Sequence, residues 1–213
     1  MIILELFSGT KSFSKVAEKL GHKTFTIDNE PKLKPDLCTD ILNLDIKQIP
    51  KEFRKPHIIW ASPPCTSFSV ASICRYWKNG KPKNDKALLG ISLVLKTISI
   101  IKELKPKYWF IENPRGMLRK QPFMVKLPKD NVSYCQYGFK YMKSTDIFNN
   151  CNLWIAKKAC KPGANCHIAA PRGSQTGTQG IKGAKDRGMI PPNLCKEILE
   201  SIEKPKIIQE NLI

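Results

Sequence analysis

Three short segments carry side chains that could do covalent or acid–base chemistry. The first is "HIIWASPPCTSFS", residues 57–69, in which an apolar run precedes Pro63, Pro64 and Cys65. Because proline donates no backbone hydrogen bond, the chain should leave a sheet there and present the thiol at the sheet's edge. With helix amides nearby, such a thiol can be held as a thiolate, the nucleophilic form. Cys65 is therefore a candidate nucleophile; the alternative is a structural cysteine.

The second segment, "FIENPRGML", places Glu112 after four apolar residues and before Asn113 and Pro114. Burial of a carboxyl group at the end of a strand favours its protonated form, which could donate a proton to a ring nitrogen. The alternative is that Glu112 pairs with Arg115 or Arg119 and has no other role.

The third segment, "ELFSGT", has small residues that let a ligand approach the backbone, and the helix after it offers free amides. Its one glycine, Gly9, does not make a G-x-G-x-x-G motif, so the segment alone identifies no cofactor. Further along, Asp28 could bind ribose hydroxyls and Asp40 an adenine amino group. For each acid the alternative is a loop cap.

The elements that must position these segments alternate between strand and helix patterns. Strands are predicted at Ile2–Leu6 and in "KTFTIDNE", "HIIWAS" and "KYWFIEN". Helices are predicted after Ser12 as N-cap, ending at Gly21, and in "ALLGISLVLKTISIIKEL". This alternation predicts a doubly wound, Rossmann-like α/β fold with a mostly parallel sheet. "NVSYCQYGF" and "TDIFNN" predict closing antiparallel strands, and a last helix is expected after Pro191.

We predict a single domain over residues 1–213, in which residues 151–188 form a small loop-rich insertion. In that insertion Cys160, Cys166 and His167, with Cys151 nearby, have ligand types suited to zinc, but their spacing matches no C-x-x-C knuckle. We place a basic, DNA-contacting loop without metal ahead of the zinc interpretation.

Charge and hydropathy restrict the partners. Lys plus Arg number 36 against 18 Asp plus Glu, and the net charge of +18 points to a polyanionic partner, with DNA or RNA as the leading candidate. A Lys-rich solubilising surface explains the composition equally well. No apolar run approaches the roughly 20 residues of a membrane span, and the N-terminus is unlike a signal peptide. We therefore expect an intracellular, reducing site without a membrane partner. Its eight cysteines should not form disulfides.

Together these segments resemble the DNA (cytosine-5) methyltransferase family, and in particular its compact phage and viral members. "ELFSG" is similar to the D-L-F-x-G motif, Asp28 to the acid after the second strand, and Asp40-Ile41 to a D-I element. Pro64-Cys65 resembles the P-C catalytic loop, and residues 112–114 resemble E-N-V. With "SPPC", "KPKYWFIENP", "YCQYGF" and "IPPNLC", the likeness covers nearly the whole chain.

The resemblance implies an S-adenosyl-L-methionine-dependent methyltransferase of this fold that methylates carbon 5 of a flipped cytosine in DNA, in the cytoplasm of a bacterial or virus-infected host cell. The sequence does not give the oligomeric state; a monomer is favoured. Cys65 would add to carbon 6, Glu112 would act on ring nitrogen 3, and Asn113 and Lys143 would complete the catalytic site. It implies the following donor-binding residues: Phe7, Ser8, Gly9, Thr10, Asp28, Asn29, Asp40, Ile41 and Pro63.

The chain departs from the family where Q-x-R-x-R is usual. Residues 141–145 read "YMKST", so Lys143 is the single cation there. Two alternatives stay open. An amino-group DNA methyltransferase would carry an aromatic residue where this chain has Cys65, and a catalytically inactive DNA-binding relative would keep the fold without the activity.

Overall fold

A seven-stranded sheet organises the part of the chain described by the computed structural model, namely residues 1–169 and 183–204. The described residues form nine strands: β1 (Ile2–Leu6), β2 (Lys23–Asp28), β3 (Leu37–Cys38), β4 (Ile58–Ala61), β5 (Trp77–Lys78), β6 (Lys81–Pro82), β7 (Tyr108–Pro114), β8 (Lys129–Ser133) and β9 (Ser144–Asn149). Of these, β5 and β6 form a separate two-stranded hairpin. The order across the sheet is β3-β2-β1-β4-β7-β9-β8. Neighbours from β3 to β7 are parallel, and β9 is antiparallel to both β7 and β8. The predicted mostly parallel sheet with closing antiparallel strands is confirmed.

Helices cover both faces of this sheet. They are α1 (Ser12–Lys19), α2 (Ile73–Tyr76), α3 (Asp85–Leu104), α4 (Ala184–Gly188) and α5 (Pro192–Glu203). On one face α1 and α5 pack together, and the ring of Phe13 stacks on Trp60 with centroids 4.5 Å apart. On the other face α3 buries Val94 and Ile101 among the sheet residues Leu4 and Ile59. The doubly wound prediction is therefore confirmed, and none of the described helices is long and apolar enough to cross a membrane.

The start of α1 differs from the sequence prediction. Ser12 is the first helical residue and not the N-cap; Lys11 holds the cap position in the left-handed region, at φ 56°, without a capping side chain. The carboxylate of Glu5, from the end of β1, accepts hydrogen bonds from the amides of Phe13 at 3.3 Å and Ser14 at 2.8 Å. A distant acid therefore binds the free amides that a local cap usually binds.

Glu5 is 2% exposed, and its burial raises the pKa of the carboxyl group from 4.5 to about 7, although the hydrogen bonds from Ser14 and Phe13 act in the opposite direction. Desolvation therefore outweighs the hydrogen bonds. A group whose pKa is higher in the folded protein stabilises the fold below its unfolded pKa, and that contribution is lost as the pH rises through the folded pKa.

We therefore expect the stability of the wild type to fall with pH relative to the Glu5→Gln variant, which does not titrate and whose single amide oxygen can still accept the shorter hydrogen bond, from Ser14. From about pH 4.5 to pH 8, the unfolding free energy of the wild type should fall by about 3 kcal/mol relative to that of the variant. Chemical denaturation of both proteins across this range measures the change. Parallel stability profiles would show that Glu5 does not titrate in this window.

Candidate active site

The ends of β4 and β7 place two of the predicted catalytic residues next to each other. The strands are parallel neighbours, with Ala61 paired to Ile111, so the Pro63–Cys65 turn leaves the sheet beside Glu112, which is still part of β7. Asn113, fully buried on β7, donates a hydrogen bond from Nδ2 to the Pro63 carbonyl at 2.9 Å. Asn113 thus fixes the turn that carries the candidate nucleophile.

The loop after Cys65 is held by backbone contacts. The Cys65 carbonyl accepts hydrogen bonds from the amides of Phe68 and Ser69, both at 3.0 Å, and the amide of Met117 donates to the Phe68 carbonyl at 2.7 Å. Gly116 allows this approach, because a Cβ atom there would lie 2.1 Å from the Phe68 carbonyl oxygen. The segment after β7 therefore clamps the loop, and sequence reasoning missed this glycine because the close contact is non-local.

Glu112 lies in a buried polar group. It is 5% exposed, accepts a hydrogen bond at Oε1 from the Tyr134 hydroxyl at 2.9 Å, and has Lys143 Nζ 3.6 Å from the same oxygen. Burial, and then the charge of Glu112, raise the pKa of Tyr134, so the phenol stays a hydrogen-bond donor. Arg119 pairs with Asp146 and not with Glu112. Tyr134 was missed by the sequence analysis.

Lys143 and Glu112 act in opposite directions on the thiol of Cys65. Burial raises the pKa of Cys65 from its ordinary value; among nearby charges, Lys143 lowers it and Glu112 raises it. The resting group is therefore a protonated thiol, and the expectation that helix amides hold it as a thiolate is wrong, because desolvation dominates. Lys143 is itself buried and donates to the Arg187 carbonyl at 3.1 Å.

A cavity of about 400 Å³ lies beside the Cys65 loop, at the carboxyl ends of β1 and β2. Five of the predicted donor-binding residues line it: Phe7, Asp28, Asn29, Asp40 and Ile41. The other predicted residues do not: Ser8, Gly9, Thr10 and Pro63. Pro64, Thr66 and Ser67 supply the wall on the side of the nucleophile. The cavity and the candidate nucleophile therefore share one loop.

The two cavity acids are also loop caps. Asp28 accepts hydrogen bonds from the amides of Gly9 at 2.8 Å and Glu30 at 2.9 Å, and Asp40 accepts from the amide of Leu42 at 2.9 Å. A carboxylate offers about four lone-pair positions, so each acid keeps capacity for a ligand. The capping and ligand-binding interpretations are compatible.

The α3 side of the cavity was not predicted. It is formed by Lys86, Leu89, Gly90 and Leu93, and Tyr76 of α2 completes this wall. The sequence held a signal for this wall. The segment "ALLGISL" is apolar around the whole helix, which indicates that a second face of the helix is covered or contacts a ligand. Leu89 is 50% exposed and lies on this second face.

The zinc candidates need one correction. The structure brings Cys160, Cys166 and His167 together with Cys135, and not with Cys151. Cys151 is buried just after β9, where its amide donates to the Asn149 side chain at 2.9 Å. Cys135 takes the place of Cys151 in this cluster because of the fold: it follows β8 and is distant in sequence from the other three residues. Part of the predicted insertion, residues 170–182, lies outside the described residues.

Comparison with known proteins shows which family this chain belongs to. Residues 1–142 match the model of the family described as C-5 cytosine-specific DNA methylase. The chain belongs to this family. A curated member from Frog virus 3, named "Probable DNA (cytosine-5)-methyltransferase", is 29% identical over 223 residues, which covers 94% of this chain and 99% of the relative. The type II methyltransferase M.FnuDI of Fusobacterium nucleatum is 28% identical over 57% of this chain, which corresponds to 34% of that larger methylase.

Two solved structures share the fold of this family member. The methyltransferase EhMeth of Entamoeba histolytica aligns over 95% of this chain and 97% of its own length, with a TM-score of 0.60 and 11% identity. A prophage-encoded protein of E. coli aligns over 75% of this chain with a TM-score of 0.53 and 16% identity. The alignment spans about half of the prophage protein, 52% of its length. At these identities the likeness concerns the fold.

The clamp on the Cys65 loop gives a prediction for this methylase. Because a Cβ atom at Gly116 would collide with the Phe68 carbonyl, Gly116→Ala should displace the loop. We expect a loss of about 2 kcal/mol in unfolding free energy and at least about a tenfold loss of methyl-transfer rate.

Denaturation curves and initial rates measure these two effects. The matched control is Gly188→Ala, since a Cβ atom at Gly188 meets nothing within 4 Å and should leave the loop in place. A Gly116→Ala protein with the stability and rate of the wild type would contradict the clamp.

Proposed function

We propose that this chain transfers a methyl group from S-adenosylmethionine to carbon 5 of cytosine in DNA, with Cys65 as the nucleophile and Glu112 as its acid partner. The observation that carries the proposal is that Cys65 and Glu112 lie side by side near the ends of two adjacent strands, and that the cavity borders the Cys65 loop. Membership of the cytosine-5 methylase family supports the same reaction.

The chemistry explains the two residue types. Carbon 5 of cytosine is a poor nucleophile, so the sulfur of Cys65 first forms a bond to carbon 6. The electron pair of the ring's 5,6 double bond then makes carbon 5 electron-rich, and Glu112, in its protonated form, stabilises the charge at ring nitrogen 3 by donating a proton or hydrogen bond. Carbon 5 takes the methyl group, and the rest of the donor leaves as S-adenosylhomocysteine. Loss of the proton from carbon 5 restores the double bond and expels the thiolate.

Three further residues support Cys65 and Glu112. Because Cys65 rests as a thiol, it must lose its proton before attack, and the positive charge of Lys143 favours the thiolate in both attack and release. The Tyr134 hydroxyl orients Glu112, and Asn113 holds the Pro63 turn. We assign Tyr134 and Asn113 as positioning residues, and Lys143 as the cation that replaces the arginines usual in the family.

The cavity residues fit the donor. S-adenosylmethionine supplies an electrophilic methyl group when bound. In the cavity, Asp28 offers carboxylate oxygens to the ribose hydroxyls, while Asp40 and Ile41 would flank the adenine. The acids lie at carboxyl ends of parallel strands, where doubly wound sheets bind nucleotides. Phe7 and Gly9, which have φ angles of 54° and 48°, turn the backbone directly after β1.

DNA is the proposed polymer. Both faces of the target ring must be open to Cys65 and to the methyl donor, so the cytosine must leave the base stack. The net charge of +18 supplies sequence-independent attraction to phosphates. We propose one domain acting as a monomer, in which residues 151–188 take the place of a separate target-recognition domain.

The test is transfer from labelled S-adenosylmethionine to cytosine-containing DNA, followed by nucleoside analysis. Wild type should give 5-methylcytosine. Cys65→Ala should give none while its affinity for S-adenosylmethionine, measured by calorimetry, stays unchanged, because the thiol acts on the base and not on the donor. Cys74→Ala, which removes an exposed thiol of α2, is the matched control.

Each other outcome has a defined meaning. A Cys65→Ala protein that keeps the wild-type rate overturns the thiol mechanism. Label on the exocyclic amino group of cytosine identifies an amino-group methyltransferase. Binding of donor and DNA without any transfer identifies an inactive relative.

A further inference from the structure

Four metal-ligating side chains converge outside the proposed active site. Cys135, Cys160, Cys166 and His167 place one ligand atom each within 4.8 Å of all the others. The mechanism uses none of them. Their types, three thiols and one imidazole, form a common ligand set for structural zinc.

Three of the four reported distances within this cysteine–histidine cluster are close to those around a tetrahedral ion, and the fourth, between Cys160 and Cys166, is shorter. Zinc lies about 2.3 Å from sulfur and about 2.0 Å from nitrogen, which puts neighbouring sulfurs about 3.8 Å apart and sulfur and nitrogen about 3.5 Å apart. The Sγ atoms of Cys135 and Cys166 are 3.6 Å apart, and those of Cys160 and Cys166 are 3.1 Å apart. His167 Nδ1 lies 3.6 Å from Cys160 Sγ and 3.5 Å from Cys166 Sγ.

The four ligands come from two parts of the fold. Cys135 is 8% exposed and belongs to the 3-10 helix Tyr134–Tyr137 that follows β8. The other three ligands belong to residues 157–168, a loop segment that lies over this helix. The backbone amide of Cys160 donates a hydrogen bond to Ser133 Oγ at 3.0 Å, and the amide of Lys157 donates one to the Tyr137 hydroxyl at 2.9 Å. An ion at the cluster would therefore join the loop segment to the body of the domain.

The surroundings suit bound thiolates. Gln136 directs its side-chain nitrogen at Cys166 Sγ, 3.3 Å away, as the outer contacts of metal sites commonly do. Three thiolates and one Zn²⁺ carry a net charge of −1, which the basic chain offsets. Free thiols, in contrast, are weak hydrogen-bond partners and would contribute little to holding these segments together.

We propose that Cys135, Cys160, Cys166 and His167 bind one structural Zn²⁺. The ion has four protein ligands and no open position, so it takes no part in methyl transfer. Binding releases the thiol protons and orders the loop segment over the helix, because metal-binding free energy is also folding free energy. Cys135 directly follows Tyr134, the hydrogen-bond donor to Glu112, so the ion also steadies one wall of the proposed active site.

The test begins with the metal content of the purified full-length protein, measured by mass spectrometry without chelators in the buffers. We expect one zinc per chain. Cys166→Ser and His167→Ala remove ligands that are partly or fully exposed, so these variants should fold and lose the zinc. Cys151→Ala is the matched control, because this cysteine neighbours the segment but lies outside the cluster, and it should keep the zinc.

A ligand exchange guards against misfolding as the cause of metal loss. His167→Cys replaces nitrogen by sulfur and should retain zinc, whereas His167→Ala should not. Cobalt substitution of the wild type should give the visible bands of a tetrahedral thiolate site, and chelation should lower the melting temperature of the wild type but not of Cys166→Ser.

Three results would overturn the proposal. The first is a wild-type protein that neither contains zinc nor takes up stoichiometric zinc or cobalt. The second is loss of zinc from Cys151→Ala to the same extent as from Cys166→Ser. The third is a Cys160–Cys166 disulfide, found by peptide mapping, in the protein as isolated under reducing conditions.

Discussion

The hydrogen bond from Asn113 to the Pro63 carbonyl joins the ends of β4 and β7, and the proposed active site depends on it. The parallel pairing of these strands brings Cys65 and Glu112 to one edge of the sheet. Two prolines then turn the chain out of the ladder, so another group must fix the direction of the turn. A buried side chain on the neighbouring strand does so, which ties the proposed nucleophile to the strand that carries its proposed acid partner.

Burying the polar group around Glu112 has a cost that the fold must offset. Removing one partner of a buried ion pair typically destabilises a protein by about 3–5 kcal/mol, because the other charge stays unpaired. Here Lys143 lies near Glu112, and Tyr134 binds the same oxygen. One lysine thus serves the carboxylate and, through its charge, the thiol of Cys65. This double role explains how a chain with a single cation in residues 141–145 can support the chemistry of the family.

The sequence was sufficient for features with a local signal. Apolar runs and helical spacing predicted the central strands, α3 and α5. The Pro-Pro-Cys and Glu-Asn-Pro segments predicted that Cys65 and Glu112 lie near the ends of strands, as the structure has them; their catalytic roles stay predictions. Features that depend on pairing between distant segments were missed. The contacts of Tyr134, Gly116 and Cys135 depend on strand register and loop packing, and Glu5 replaces Ser12 as the cap of α1 for the same reason. The protonation state of Cys65 depends on burial, which sequence spacing does not contain.

The central claim is that the sulfur of Cys65 forms a bond to carbon 6 of cytosine. DNA containing 5-fluorocytosine tests it most directly. The reaction normally ends when the hydrogen at carbon 5 is removed as a proton; the fluorine that replaces this hydrogen cannot be removed in that way, so the thiol stays bound to carbon 6 after methylation. With S-adenosylmethionine present, we predict a stable protein–DNA complex whose cross-linked peptide contains Cys65. Methylation of ordinary cytosine without such a complex, or a cross-link through another residue, would contradict the account.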